Sequence, residues 1–205
     1  MQNSNYNHLS IENKIYEYWE KNNYFKPKKK AKKYFSIVIP PPNVTGSLHM
    51  GHALNNSLQD LLVRFYRMKG YETLWQPGTD HAGIATQAVV EKKLSEKGIL
   101  KNQLGREKFI KEVWKWKEES GDQILNQLKK LGCSCDWSRN RFTMDESLSK
   151  AVIKSFVKLY NQKLIYKDTK LVNWDTNLET AISDLEVEQR EVQSNLYFIK
   201  YNLVE

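Results

Sequence analysis

Two cysteines in 205 residues leave this chain without a disulfide framework. Cys133 and Cys135 also lack the spacing and the Cys or His companions of a zinc site, so reduced, structural thiols are expected. Membrane-length apolar runs, a secretory leader and lipidation motifs are missing as well, which excludes a membrane role and makes the cytoplasm the expected compartment. There is no internal repeat. Proline is scarce, with five residues, yet three of them stand together as Pro40, Pro41 and Pro42. At this length the chain can still bury a core of its own.

What the chain has in excess is positive charge. A formal net charge of +8 and a pI near 9.3 suit a polyanionic partner. The densest basic run, Lys26 to Lys33, reads most simply as a solvated linker. It would join an N-terminal helix, with Ile11, Ile15, Tyr18 and Trp19 on one face, to the first strand.

That strand opens the most informative stretch. Tyr34 to Ile39 is apolar and β-branched, as a buried strand is, and the three prolines forbid it to continue. Gly46 permits a tight path, and Gly51 opens an amphipathic helix ending near Gly70, with apolar residues at Leu54, Leu58, Leu61, Leu62 and Phe65. Strand, glycine turn and helix N-terminus together make a phosphate-type site, because free N–H groups and the helix dipole attract anions there. His49 and His52 project from the first helical turn, with the bare Gly51 backbone between them. For a lone His-x-x-His the plainer reading is a helix cap or a satisfied core group; a metal pair would sit at i, i+4.

Glu72 to Trp75 predicts a second strand leading into a loop from Gly78 to Gly83, and strand, helix, strand is the opening of a parallel α/β sheet. Helices are expected at about 84–97, 106–130 and 145–162, with Gly98 and Gly132 as stops and Thr143 with Glu146 as a capping box. Trp114 and Trp116 lie at helical spacing and read as packing residues.

The run Pro40 to His52 resembles the first signature of the class I aminoacyl-tRNA synthetases, in the form carried by their valyl branch. Trp75 to Gln87, Gly105 to Phe109, Trp116 to Gly121, Asp136 to Arg139, Arg141 to Glu146, Leu171 to Asp175 and Thr180 to Glu188 resemble later blocks of the same enzymes, in order and with matching gaps. Isoleucyl and leucyl enzymes share the histidine motif, but the Pro-Pro-Pro-Asn-Val-Thr-Gly and Gly-Thr-Asp-His-Ala-Gly runs look valyl.

The resemblance implies an α/β fold: the first half of a Rossmann-like parallel-sheet nucleotide-binding domain over 34–170. An N-terminal helical extension and basic linker would cover 1–33, and the first strands of an inserted editing domain 171–205. It implies ATP-dependent activation of valine and transfer to tRNA(Val). His49, His52 and Thr45 would act on the reaction, and His49, Gly51 and His52 on ATP. Pro41, Asn43 and Asp80 would hold the amino acid, Asp80 taking the ammonium; from the residues alone Asp80 also reads as a turn residue. Magnesium would accompany ATP through the phosphates. Zinc is not expected, since Asp175 and Asn177 stand where some relatives carry a cysteine pair. A valine pocket cannot strongly reject near-isosteric threonine, and valyl enzymes are the standing example of that limit, so editing belongs to the complete enzyme.

Such an enzyme is expected to be monomeric and several times longer. It would carry a second, Lys-Met-Ser-Lys-Ser signature that does not occur here. The aromatic and β-branched run Leu196 to Val204 has no closing turn, so the chain is expected to be an N-terminal piece, inactive alone. The alternatives are a truncated, non-catalytic ATP- or tRNA-binding module and, less favoured, an isoleucyl or leucyl ligase.

Overall fold

The structure, a computed structural model, describes residues 6–28 and 32–202. Lys29, Lys30 and Ala31 of the basic linker lie outside the described residues. The chain divides into two compact units, Met1–Phe156 and Val157–Glu205.

In the first unit β1 (Tyr34–Val38) pairs in parallel with β2 (Glu72–Gln76), from Tyr34 opposite Glu72 to Val38 opposite Gln76. The crossover between them is helix α2 (Met50–Met68), as a parallel pair requires. A second parallel pair joins β3 (Gly78–Thr79) to β4 (Arg141–Phe142). The sequence pattern predicts only a loop from Gly78 to Gly83, whereas Gly78 and Thr79 pair as a short strand. Glycine suits the pairing, because a Cβ there would stand 3.0 Å from the Arg141 carbonyl oxygen. Helices α3 (Ile84–Ser95), α4 (Lys101–Leu104) and α5 (Arg106–Lys130) lie between β3 and β4 in sequence, and α6 (Glu146–Asn161) follows. Ile39, Val44, Val63, Trp75, Ile124, Leu128, Cys133, Cys135 and Phe142 form the main core. Each large aliphatic residue fully buried there stabilises the fold by about 1.5–3 kcal/mol. Both cysteines are free and buried, and burial pushes the Cys133 thiol up to about 12 and that of Cys135 further, so neither is a ready thiolate.

Two helix faces differ from expectation. In α1 (His8–Lys21) the buried residue is Tyr16, while Ile11, Ile15 and Tyr18 are exposed. The Tyr16 hydroxyl donates to the Cys133 carbonyl oxygen at 2.6 Å and accepts from Trp137 Nε1 at 2.7 Å, so a buried tyrosine with a satisfied hydroxyl anchors the helix. In α2 the apolar stripe Leu54, Leu58, Leu61, Leu62 and Phe65 is exposed, and the inward side carries Asn56 and Val63. Polar bonds hold that inward side. Asp60 accepts from the Ser134 amide, Arg64 donates to the Gly132 carbonyl, Arg67 to the Ser134 carbonyl, and Gln59 accepts from Trp75 Nε1.

In the second unit β5 (Asn173–Asp175) and β6 (Thr180–Ile182) make a short antiparallel hairpin. Asp175 Oδ1 accepts from the Asn177 and Leu178 amides, both at 2.8 Å, and so shapes its turn. Residues 196–202 form no strand, and Leu196, Tyr197, Phe198, Ile199 and Tyr201 are exposed. Their strand-like composition has no paired neighbour among the described residues, and a strand is held by its neighbour's hydrogen bonds. No described helix is long and apolar enough to cross a membrane.

Candidate active site

The site begins where β1 ends. Ile39 extends the ladder by donating its amide to the Gln76 carbonyl at 2.9 Å, and the prolines then turn the chain away. Opposite it, the chain after β2 leaves in the same direction. Asn43 and Asp80 form a parallel bridge: the Asp80 amide donates to the Pro42 carbonyl at 2.8 Å and the Val44 amide to the Asp80 carbonyl at 2.9 Å. The loop from Pro40 to His49 is therefore fastened to the loop after β2. Asn43 and Pro41 are exposed beside this bridge and Thr45 is half-buried.

Helix α5 carries the far side of the first loop. Trp116 Nε1 donates to the Val44 carbonyl at 2.8 Å, Gln123 Nε2 to Ser47 Oγ at 2.8 Å, and the Leu48 amide to Gln127 Oε1 at 2.9 Å. Spacings of seven and four put these three residues on one helix face, a signal the sequence held but that packing alone did not reveal. Trp116 is thus both a packing residue and a hydrogen-bond donor to the loop.

At the start of α2 the histidines cap the helix and each other. His49 Nδ1 accepts from the Gly51 amide at 3.1 Å, and His52 Nδ1 accepts from the His49 amide at 3.3 Å. Because both Nδ1 atoms accept, both neutral rings carry their proton on Nε2. The ring centroids are 4.0 Å apart. Burial, and next the neighbouring His49, lower the His52 pKa, which favours the neutral ring. Gly51 leaves room for this: a Cβ would lie 2.9 Å from His49 Cε1. The plain capping reading holds, and the caps leave two Nε2–H donors at the positive end of a helix dipole, where they suit an anion.

The Asp80 corner is tied differently. Asp80 Oδ2 accepts from the Ala82 amide at 3.1 Å, the turn role read from sequence, and Oδ1 accepts from Thr143 Oγ1 at 2.9 Å. His81 Nδ1 is 2.7 Å from Thr143 Oγ1 and 3.5 Å from Asp80 Oδ1. Ala82 and Gly83 follow with φ of +51° and +50°, and Thr86 Oγ1 closes the turn onto the His81 carbonyl at 2.7 Å. Thr143 was expected to cap α6. Its hydroxyl is spent on Asp80 and His81 instead, while the Asp145 carboxylate just before α6 bonds back to the Phe142 amide at 3.0 Å. Nothing in the sequence linked positions 80 and 143, which meet only through the pairing of β3 with β4. An apolar cavity of about 780 Å³ opens beside this corner, bordered by His81, Ile84, Phe109, Trp114 and Phe142. Among the described residues no three His, Cys, Asp or Glu side chains converge as a metal site would need.

Residues 14–203 match the family model of tRNA synthetases class I (I, L, M and V). The chain is 75% identical over 201 residues to the valine–tRNA ligase of Pelagibacter ubique, covering 98% of this chain and 23% of that protein. It is 62% identical to the valine–tRNA ligase of Bradyrhizobium diazoefficiens, over 96% of this chain and 21% of the relative. Among solved structures it resembles the LeuRS of Agrobacterium radiobacter K84, in a ternary complex with tRNA and LeuAMS. The TM-score is 0.71 and the identity 25%, over 86% of this chain and 21% of that one. The chain therefore spans between a fifth and a quarter of the length of these curated relatives.

Proposed function

The chain belongs to the class I tRNA synthetases, as a homologue of valine–tRNA ligases over their N-terminal portion, and from that premise we propose that its two fastened loops form the first half of a valine-adenylating site. In the reaction a carboxylate oxygen of valine attacks the α-phosphorus of ATP in line, the P–O bond to the β-phosphate breaks, and pyrophosphate leaves. Protein side chains have little covalent work there; position and charge stabilisation carry the rate. His49 and His52 would donate their Nε2–H groups to phosphate oxygens, and adenine would lie against Gly51. Thr45 would face the α-phosphate. Asp80 would take the valine ammonium with the Pro41 carbonyl as second acceptor and Asn43 beside it, a charge-assisted bond contributing about 1.5–3 kcal/mol.

The observation that carries this reading is the backbone bridge between Asn43 and Asp80, which sets a carboxylate at the root of the loop whose other end bears the two histidines. In the complete protein the aminoacyl group would pass to tRNA(Val), Mg²⁺ would ride on the ATP phosphates, and a separate site would hydrolyse threonyl products. We assign residues 1–33 to the helical extension and linker, 34–170 to the catalytic half-domain and 171–205 to the approach to the editing domain. The complete enzyme would be a cytoplasmic monomer.

The test is exchange of pyrophosphate into ATP with valine, isoleucine or threonine as the amino acid. Exchange strongest with valine supports the reading; exchange driven best by isoleucine would overturn the valine assignment. The net charge of +8 supports a second reading, a non-catalytic module that holds ATP or tRNA. ATP binding without any amino-acid-dependent exchange would support it.

A further inference from the structure

Thr143 Oγ1 stands at a three-way junction. It lies 2.9 Å from the His81 amide nitrogen, 2.7 Å from His81 Nδ1 and 2.9 Å from Asp80 Oδ1. A hydroxyl has one proton to give and two lone pairs to receive. The backbone amide is always a donor, so it takes one lone pair. A carboxylate, the form an ammonium ligand needs, only accepts, so the hydroxyl proton goes to Asp80. Nδ1 then faces the remaining lone pair and must itself carry a proton. The neutral His81 ring is thereby held as the Nδ1–H tautomer, with its lone pair on Nε2, which meets no protein partner among the described residues. This is the reverse of His49 and His52, whose Nδ1 atoms accept.

We propose that Thr143 is a positioning residue of the amino-acid site: it aims the Asp80 carboxylate and fixes the His81 tautomer, so that Asp80 meets the substrate ammonium preorganised and His81 presents an acceptor at the wall of the adjoining cavity. The proposal rests on the reading of Asp80 as the ammonium partner. Without the hydroxyl, Asp80 Oδ1 loses its one side-chain donor and keeps the Ala82 amide on Oδ2 alone. Its carboxylate is then free to turn toward His81 Nδ1, 3.5 Å away.

The experiment uses the whole chain as wild type, Thr143→Ser and Thr143→Val. The first readout is the nitrogen NMR spectrum of the His81 imidazole, which needs no ligand. Wild type and Thr143→Ser should show the Nδ1–H tautomer with the same Nδ1 signal, and Thr143→Val, which leaves only the charged Asp80 oxygen to receive that proton, should move the Nδ1 signal. A staple that merely held the loop would not produce that pattern. The second readout is valine affinity, with Asp80→Asn as reference: Thr143→Val should weaken it about tenfold and Thr143→Ser by no more than about twofold. A wild-type ring in the Nε2–H form overturns the proposal even if the valine variant fails to fold, and so does Thr143→Val with the Nδ1 signal and the affinity unchanged. Valine affinity that ignores Asp80→Asn, or is absent in wild type, overturns the underlying reading instead, and the tautomer still decides for or against Thr143.

Discussion

The two ends of the candidate site are built in opposite ways. At the histidine end the two bonds that the imidazole rings make span two and three residues, so the rings in the first turn of α2 are set locally. At the Asp80 corner the decisive bonds span 62 and 63 residues and exist only because β3 and β4 pair. The proposed phosphate side is therefore wired locally, while the proposed ammonium side depends on the tertiary fold. A defect in packing should reach amino-acid recognition before it reaches the caps of the helix.

The largest way to sharpen this contrast is His52→Ala, in a ligase of the relatives' full length carrying this chain. Loss of a donor to the reacting phosphates should lower kcat for adenylation by about 10²–10³ while the valine KM moves little. Asp80→Asn should do the reverse, raising the valine KM by about tenfold to a hundredfold at a smaller cost in kcat. Gly51→Ala should cut kcat by about tenfold, since the new Cβ displaces the His49 ring. Helix propensity itself favours alanine by about 1 kcal/mol, so a slower enzyme with an undiminished Tm would mark the effect as local. Trp116→Phe removes the donor to the Val44 carbonyl and should lower stability by about 1 kcal/mol, measured by denaturant unfolding.

The smallest effect concerns pH. The His52 pKa is lowered in the folded chain, so its contribution to stability is complete above the ordinary imidazole value of 6.5 and is lost as pH falls through the lower folded value. Protonation of Nδ1 also removes the acceptor for the His49 amide. The Tm should rise slightly with pH across that window, and His52→Ala should flatten the rise.

Much of this was legible in sequence, and the reasons follow the same division. The place of the strand before three prolines, the extent of α5 and the capping pair at α2 are local facts of propensity and spacing and stand as read, but β1 is not the buried strand its composition predicts: Tyr34, Ser36 and Val38 are exposed and only Ile39, just beyond it, is buried. What escaped is long-range. The stripe on α2 is genuine amphipathicity, but its apolar side faces outward, and the buried side is polar because Ser134 and Gly132, about 70 residues away, supply partners for Asp60, Arg64 and Arg67. Tyr16 displaced Ile11 and Ile15 as the anchor of α1 because Cys133 and Trp137 offered its hydroxyl two partners. Thr143 looked like a helix cap for the same reason: its true partners lie across a strand pair too short to leave a pattern.

The most direct test of the account is valine-dependent pyrophosphate exchange on His52→Ala and Asp80→Asn side by side, across a range of valine concentrations. The account predicts a low plateau at an unchanged half-saturating valine concentration for the first, and a near-normal plateau reached only at much higher valine for the second. Loss of the same parameter in both variants would contradict a site divided between a phosphate end and an ammonium end.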